Sequence, residues 1–233
     1  DVPGHVIPIL AREFDDFDNE AEKFLSGDIA EDQFIGFRLK QGVYGQRQPD
    51  VQMIRVKLPF GGVSPEQMEA FADAIESLYP VAFTLKFASK RELGRDYVVP
   101  PLEGLWWSED MASFTSARDK SHWNWTVMVM VPEWIERDLV AAALDRVAAT
   151  STPVRRGDVR LEPLVEGRCV QTLHVGSFDD EADVLAELHD EFVPGNGLRM
   201  VGKHHEIYLS DFRRTAPEKL RTILRQPVAA ARE

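Results

Sequence analysis

Beyond residue 50, segments with strand periodicity alternate with segments of helical periodicity. VQMIRVKLPF, which starts at residue 51, alternates apolar and polar residues as a half-buried strand does, and Pro65 to Leu78 carries an apolar stripe at helical spacing. Further strands are predicted in VAFTLKFA at residues 81–88, around LEGLWW, and in WNWTVMVMVP. A connecting helix is predicted from Glu133 to Ala149, and TSTPVRRGDVRLEPL after it is predicted to hold a loop and a short strand.

A second round repeats this order. RCVQTLHVGS predicts a strand, FDDEADVLAELHDEF a helix ended by Pro194 and Gly195, and LRMVG with KHHEIYLSD a strand pair joined through Gly202. The basic tail FRRTAPEKLRTILRQPV is predicted to lie beyond the last strand. The repeated β-α-β-β order predicts the α+β class, with antiparallel sheets and helices packed on one side.

The first fifty residues are predicted to form an acidic arm. Residues 13–32 hold nine acidic residues against one basic residue, Lys23. Short amphipathic helices are predicted at residues 16–26 and 31–40, and GVYGQRQPD is predicted to be a loop. The predicted domains are therefore an arm at residues 1–50 and a larger domain at residues 51–233.

Composition narrows the classes of partner and site. The net charge of −12 argues against nucleic acid and against an anionic membrane surface, since both require a basic face. Cys169 is the single cysteine, which excludes an intrachain disulfide and a cysteine-based zinc or iron–sulfur site, and we expect it to be a buried, inert thiol. No apolar run is long enough for a membrane span and no signal-peptide pattern opens the chain, so a cytoplasmic protein is predicted.

The strand KHHEIYLSD offers the first candidate chemistry. Successive strand side chains point to opposite faces, so His204, Glu206 and Tyr208 share one face and His205 points to the other. A carboxylate flanked by imidazole and phenol groups in an apolar cleft is a usable acid or base near neutrality. The alternatives are an exposed acid on an outer face, a tyrosine anchored in the core, and structural histidines. Adjacent histidines on opposite faces suit no metal site.

Tryptophans and one further acid complete the candidates. Trp106 and Trp107 are adjacent and face opposite sides of a strand, whereas Trp125 shares a face with Trp123. Such a stripe is either core or a stacking wall for a flat aromatic ligand. An acid in VEGRCV stands at a strand entry, where it either reaches a cleft rim or binds backbone amides. The predicted ligand contacts are Trp107, Trp125, Trp106, Glu166 and His204.

Four stretches resemble one family: PPLEGLWW, HWNWTVMVMVPEW, LVEGRCVQTLHVGSFDDE and HHEIYLSDFRRTAPEKLRTILRQPV. Over about residues 68–228 the chain resembles the GyrI-like small-molecule-binding domain. The resemblance implies two β-α-β-β units related by pseudo-two-fold symmetry around a central cleft. It also implies an acidic residue at the cleft centre, for which Glu206 is the match. Members are similar to multidrug-sensing regulator domains, and some stand-alone members hydrolyse cyclopropane-bearing, DNA-alkylating natural products.

The N-terminal part resembles a different family. Residues 10–74 are similar to the opening of a nitrite or sulfite reductase, before its sirohaem-binding parts. Such reductases hold an iron–sulfur cluster on four cysteines, and Cys169 alone cannot supply this.

The sequence therefore predicts binding of a flat hydrophobic or cationic small molecule in an aromatic cleft, with no metal or organic cofactor. If the bound compound is a cyclopropanoid that is hydrolysed, Glu206 would activate water, Tyr208 would hydrogen-bond the carbonyl, and Trp107 with Trp125 would hold the ring system. The alternatives are a passive sequestering or sensing module without turnover and, more remotely, a non-catalytic fragment of a sirohaem reductase.

Overall fold

The computed structural model describes residues 44–47, 51–57, 65–108, 123–150 and 153–231. The two predicted N-terminal helices lie outside these ranges. The chain divides into two compact units: Asp50–Leu164, called the central unit, and Val165–Glu233 together with Asp1–Pro49, called the terminal unit. Among the described residues, every helix is too short or too polar to cross a lipid bilayer.

The central unit is built on an antiparallel sheet. Strand β2 (Val51–Lys57) pairs with β4 (Asn124–Val131) on one side and with β5 (Arg160–Leu164) on the other. Strand β3 (Leu102–Trp107) pairs with β4. Each of these strands was predicted near its observed position, β5 as the short strand in TSTPVRRGDVRLEPL.

The central unit also contains two helices, α1 (Pro65–Ala88) and α2 (Arg137–Thr150). The strand predicted at residues 81–88 is wrong, because α1 continues through Pro80 and passes into a π-helical turn, Ser89–Leu93. Proline usually ends a helix by removing a hydrogen bond and crowding the preceding turn. Here the buried apolar stripe continues beyond it at helical spacing, and its burial outweighs that loss. The stripe comprises Ala74, Ile75, Leu78, Val81, Ala82, Leu85 and Ala88.

The terminal unit is also built on antiparallel β-sheet. Strand β6 (Arg168–Val175) pairs with both β1 (Tyr44–Arg47) and β9 (Arg221–Ala230). Strands β7 (Leu198–Met200) and β8 (His204–Tyr208) both pair with β9. Residues 44–47 are thus a strand and not the predicted loop, and β7 pairs with β9 instead of forming the predicted pair with β8.

Strand β9 lies where a basic tail was predicted. It is paired on both sides, and its residues Thr222 to Val228 are all buried. Arg225 and Pro227 make this strand hard to predict from the sequence, since a charged residue and a proline both argue against a central strand. Arg225 is tolerated because a buried carboxylate neutralises it, as described below.

A helical segment, residues 178–195, covers one face of this sheet. It runs without interruption through Phe178–Glu181 (3-10), Ala182–Ala186 (α), Glu187–Phe192 (π) and Val193–Gly195 (α). The predicted helix therefore extends through Pro194 and Gly195. Its apolar side forms a core with the sheet, made of Val170, Leu188, Val193, Leu198 and Val228. The β-α-β-β order recurs in both units, and the predicted α+β class is confirmed.

Candidate functional site

Strand β8 carries the predicted row of polar side chains in a buried position. His204, Glu206 and Tyr208 are all at most 8% exposed. Two of them touch the helical segment: the His204 ring meets the ring of His189, and the Tyr208 ring meets the ring of Phe178. The row therefore lies on the face of the sheet that the helical segment covers, and it is the same face for all three residues, as the alternation predicts.

Glu206 is the acid of this row, and its carboxylate has no close hydrogen-bond donor among the described residues. Its side chain is 10% exposed, and Oε1 lies 3.6 Å from Nε2 of His204, beyond ordinary hydrogen-bond distance. No shorter contact to its carboxylate occurs within the described part of the chain. A nearly buried carboxylate without close donors is poised to accept a cation or a hydrogen-bond donor from a ligand.

Aromatic rings adjoin this row. Phe178 stands edge-to-face with Tyr208 at 5.8 Å and with Phe212 at 6.3 Å between ring centroids. Phe212 is 38% exposed, so the cluster reaches the surface of the unit. The terminal unit thus brings a carboxylate and a set of ring faces onto one side of its sheet.

The opposite face of β8 carries an ionic cluster that we call the Glu166 cluster: Glu166, His205, Arg225 and Gln171. Oε1 of Glu166 lies 3.0 Å from Nδ1 of His205, and Nη1 of Arg225 donates to Oε2 of Glu166 at 3.0 Å. Nε of Arg225 donates to Oε1 of Gln171 at 2.7 Å. Both oxygens of Glu166 are engaged inside the unit, and its role as a ligand contact stays a prediction.

The charges of this cluster keep Glu166 ionised. Burial works to raise the pKa of the Glu166 carboxyl, but the charges of His205 and Arg225 and the hydrogen bonds from them outweigh it and hold this pKa at about 2. Nearby, the buried thiol of Cys169 has its pKa raised to about 12 by burial and then by the charge of Glu166. The prediction that the thiol of Cys169 is buried is confirmed.

The tryptophans divide between the two faces of the central sheet. Trp125 is directly opposite Trp106 across the strand pair, and Phe71 of α1 packs on both, with ring centroids 5.1 Å and 5.7 Å away. Trp107 faces the other side, where Nζ of Lys57 lies 5.9 Å from its ring centroid. Trp107 and Trp125 therefore cannot hold one ring system together, because the sheet separates them. Trp125 is 2% exposed and is part of the core.

The predicted site residues do not line the cavity found in the central unit. This cavity, of about 510 Å³, has walls that include Gln52, Glu133 and Leu161. Among the described residues, no three histidine, cysteine or acidic side chains are grouped so as to hold a metal ion.

Several residues on the two faces of β8 were missed from the sequence. His205 was interpreted as structural without a partner, and Arg225 was assigned to a tail. Residues 222–228 show no two-residue alternation of apolar and polar side chains, so no local signal placed Arg225 in a strand. His189, Phe178 and Phe212 had no such signal, because their contacts depend on how the helical segment lies on the sheet.

Comparison with known proteins gives the family. The family described as GyrI-like small molecule binding domain matches residues 61–229. An uncharacterized conserved protein from Listeria innocua, of known structure, is 33% identical, with 91% of this chain and 98% of that chain covered and a TM-score of 0.73. A hydrolase from Listeria innocua is 31% identical over the same shares of the two chains, with a TM-score of 0.69.

A more distant structure shares the fold alone. The EcmrR C-terminal domain is 10% identical, with 82% of this chain and 98% of that chain covered and a TM-score of 0.52. No curated protein matches the sequence. The family resemblance read from the sequence is confirmed over residues 61–229. This chain belongs to the GyrI-like small-molecule-binding domain family.

Proposed function

We propose that the protein binds flat, hydrophobic cations at the row His204, Glu206 and Tyr208. The observation that carries this proposal is the contrast between the two buried acids. Glu166 has both oxygens bound by cationic groups, whereas the carboxylate of Glu206 has no described contact closer than 3.6 Å. An acid without close donors among the described residues, in a nearly dry position, gains most from a ligand that supplies a positive charge.

The surroundings of Glu206 favour a flat cation over a small hydrated one. The rings of Tyr208, Phe178 and Phe212 offer apolar contact, and the faces of aromatic rings attract cations once water is excluded. A metal ion would need several oxygen or nitrogen ligands, which are not grouped here among the described residues. A delocalised organic cation requires one carboxylate and apolar walls.

Replacing Glu206 with glutamine tests this proposal. We expect Glu206→Gln to weaken binding of a flat cationic dye roughly tenfold to hundredfold, since a hydrogen bond to a charged group contributes about 1.5–3 kcal/mol. A neutral compound with the same ring system should bind equally well to both proteins. The measurement is an equilibrium titration that follows the fluorescence of the dye.

The control is Glu218→Gln, which removes an exposed acid of the same unit. It should leave the affinity for the dye unchanged, so that the loss in Glu206→Gln cannot come from net charge alone. Equal dye affinities of the wild type and Glu206→Gln would contradict the proposal.

A second candidate function is hydrolysis of cyclopropanoid compounds at the same row. Its support is the identity of 31–33% with proteins described as hydrolases from Listeria innocua. In this mechanism the oxygen of water bonds to a carbon of the strained ring while Glu206 accepts the proton of the water. The ring C–C bond breaks, and its electron pair moves through the conjugated system to the carbonyl oxygen, which Tyr208 hydrogen-bonds and which then takes up a proton.

Mass spectrometry of the recovered ligand separates hydrolysis from passive binding. Turnover adds one water to the compound, and Glu206→Gln should retain the compound without converting it. A ligand that is always recovered unchanged would mean that the protein binds it without turnover, as a sequestering or sensing module does.

A further inference from the structure

Helix α1 carries aromatic rings on the side that faces away from its buried stripe. Phe83 is 46% exposed and Phe87 is 55% exposed. Tyr79 stacks on Phe83, with the two ring centroids 6.3 Å apart. The spacing of four residues places the three rings in one row along the helix. Because α1 is thus apolar on two sides, it has a second surface to cover, and exposed apolar patches of this kind mark interaction sites.

Charges of opposite sign lie at the two ends of this aromatic row. Before it, residues 68–76 hold three acidic side chains and no basic one. After it, residues 86–96 hold four basic and two acidic side chains. Lys86 and Lys90 share the single carboxylate of Asp96, at 2.8 Å and 2.7 Å, so this group keeps a net positive charge. The exposed face of α1 is therefore negative at one end, aromatic in the middle and positive at the other end.

A face with this order of charges is complementary to a second copy of itself. If two copies of α1 lie antiparallel across a two-fold axis near Pro80, the acidic end of each helix meets the basic end of the other. In this register Phe87 lies opposite Ala72 of the partner subunit, and Ala72 is exposed and small enough to leave room for a ring. Lys90 lies opposite Glu69 of the partner subunit. A partner of uniform charge would instead be repelled by one of the two ends.

We propose that the exposed face of α1 is a homodimer surface, on which two copies of the chain pair antiparallel through Phe83 and Phe87. The rings are removed from water in both copies at once, and the opposite charges at the two ends fix the direction of the pair. One helix pair buries an area at the low end of specific interfaces, so we expect a reversible dimer with a Kd in the micromolar range. This inference does not depend on the ligand site at Glu206.

Sedimentation velocity of the full chain, from about 1 μM to about 1 mM, tests the proposal. The wild type should shift from monomer to dimer as the concentration rises. Phe87→Ser should raise the midpoint concentration at least about tenfold, because it removes a ring that the dimer buries in both copies. The control is Val154→Ser, which removes a 74% exposed apolar side chain from another part of the central unit and should leave the midpoint unchanged.

Charge reversal tests the antiparallel register. Lys90→Glu and Glu69→Lys each place like charges opposite each other twice in a dimer, so each variant alone should dimerise about tenfold more weakly than the wild type. An equimolar mixture of the two variants should dimerise again, since both charge pairs of the mixed dimer are of opposite sign. Both positions are exposed, so neither substitution should prevent folding.

Three results would overturn the inference. The first is a wild-type chain that remains monomeric over the whole concentration range, whatever else then covers this face of α1. The second is a dimer that Phe87→Ser leaves intact, since such a dimer would use another surface. The third is a mixture of Lys90→Glu and Glu69→Lys that dimerises no better than the separate variants, which would exclude the antiparallel pairing of α1.

Discussion

Replacing Glu166 with glutamine is expected to lower the free energy of unfolding by about 3–5 kcal/mol, the usual cost of removing one partner of a buried ion pair. The variant leaves Arg225 buried without an anion, since the side chain of Arg225 is only 8% exposed. His205 loses the carboxylate 3.0 Å from its Nδ1. Glutamine keeps the shape of the side chain, so the loss reports on charge and not on packing. Urea-induced unfolding measures it.

The stability lost with Glu166 depends on pH in a defined direction. Folding lowers the pKa of this carboxyl from 4.5 to about 2, so the folded protein keeps it ionised where the unfolded chain already takes up a proton. The stabilisation is fully present above about pH 4.5 and disappears as the pH falls towards 2, and it corresponds to about 3 kcal/mol. The difference between wild type and Glu166→Gln should therefore shrink over this range.

Two further variants make this result specific. Glu162→Gln removes an acid that is 51% exposed and paired with Arg55 at 2.8 Å, and it should change the free energy of unfolding by less than about 1 kcal/mol. Adding Arg225→Met to Glu166→Gln should restore part of the stability, because no uncompensated arginine remains. Equal effects of Glu162→Gln and Glu166→Gln would show that the Glu166 cluster is not a buried ionic core.

Replacing Trp125 with alanine is expected to destabilise the central unit by about 3–5 kcal/mol, since it opens a large cavity in a packed core. Trp125 is 2% exposed and is covered by Phe71 of α1, whose ring centroid is 5.1 Å away. The loss would be measured by the same urea-induced unfolding. A ligand-lining role would instead give a stable protein with weakened binding.

Trp107→Ala is the matched control for Trp125→Ala. Trp107 lies on the other face of the same sheet, is only partly buried and has Lys57 over its ring. Trp107→Ala should lower the free energy of unfolding much less than Trp125→Ala does. Because the Trp107→Ala variant stays folded, a loss of ligand affinity in it would show that Trp107 contacts the ligand. If the two variants were equally destabilised, the division of the tryptophans between core and surface would be contradicted.

Elements with a clear period could be predicted from the sequence. The alternation in β2, β4 and β6 marks strands, and the row on β8 follows from the two-residue repeat alone. Local rules failed where tertiary contacts override them. Pro80 argues for the end of a helix, but the buried stripe on both sides of it extends α1 to Ala88.

The sequence identifies the acids that are candidates for the site, but it does not show which side chains surround each of them. Glu166 and Glu206 both look like acids at the edge of a cleft when only neighbouring residues are considered. Their difference comes from β9, which brings Arg225 opposite His205 and next to Glu166, while Glu206 is opposite Leu224. Because the contact of Glu166 with Arg225 joins distant parts of the chain, no local pattern could distinguish the paired acid from the one without close contacts among the described residues.

The central claim is that Glu206 is the acid that meets the ligand, and a crystal structure of the protein with a brominated flat cation tests it most directly. Anomalous scattering locates the bromine without reference to any assumed pose. We expect the cation to contact Glu206 and the rings of Tyr208 and Phe178. A cation bound at Glu166, or elsewhere on the chain with Glu206 uncontacted, would contradict it.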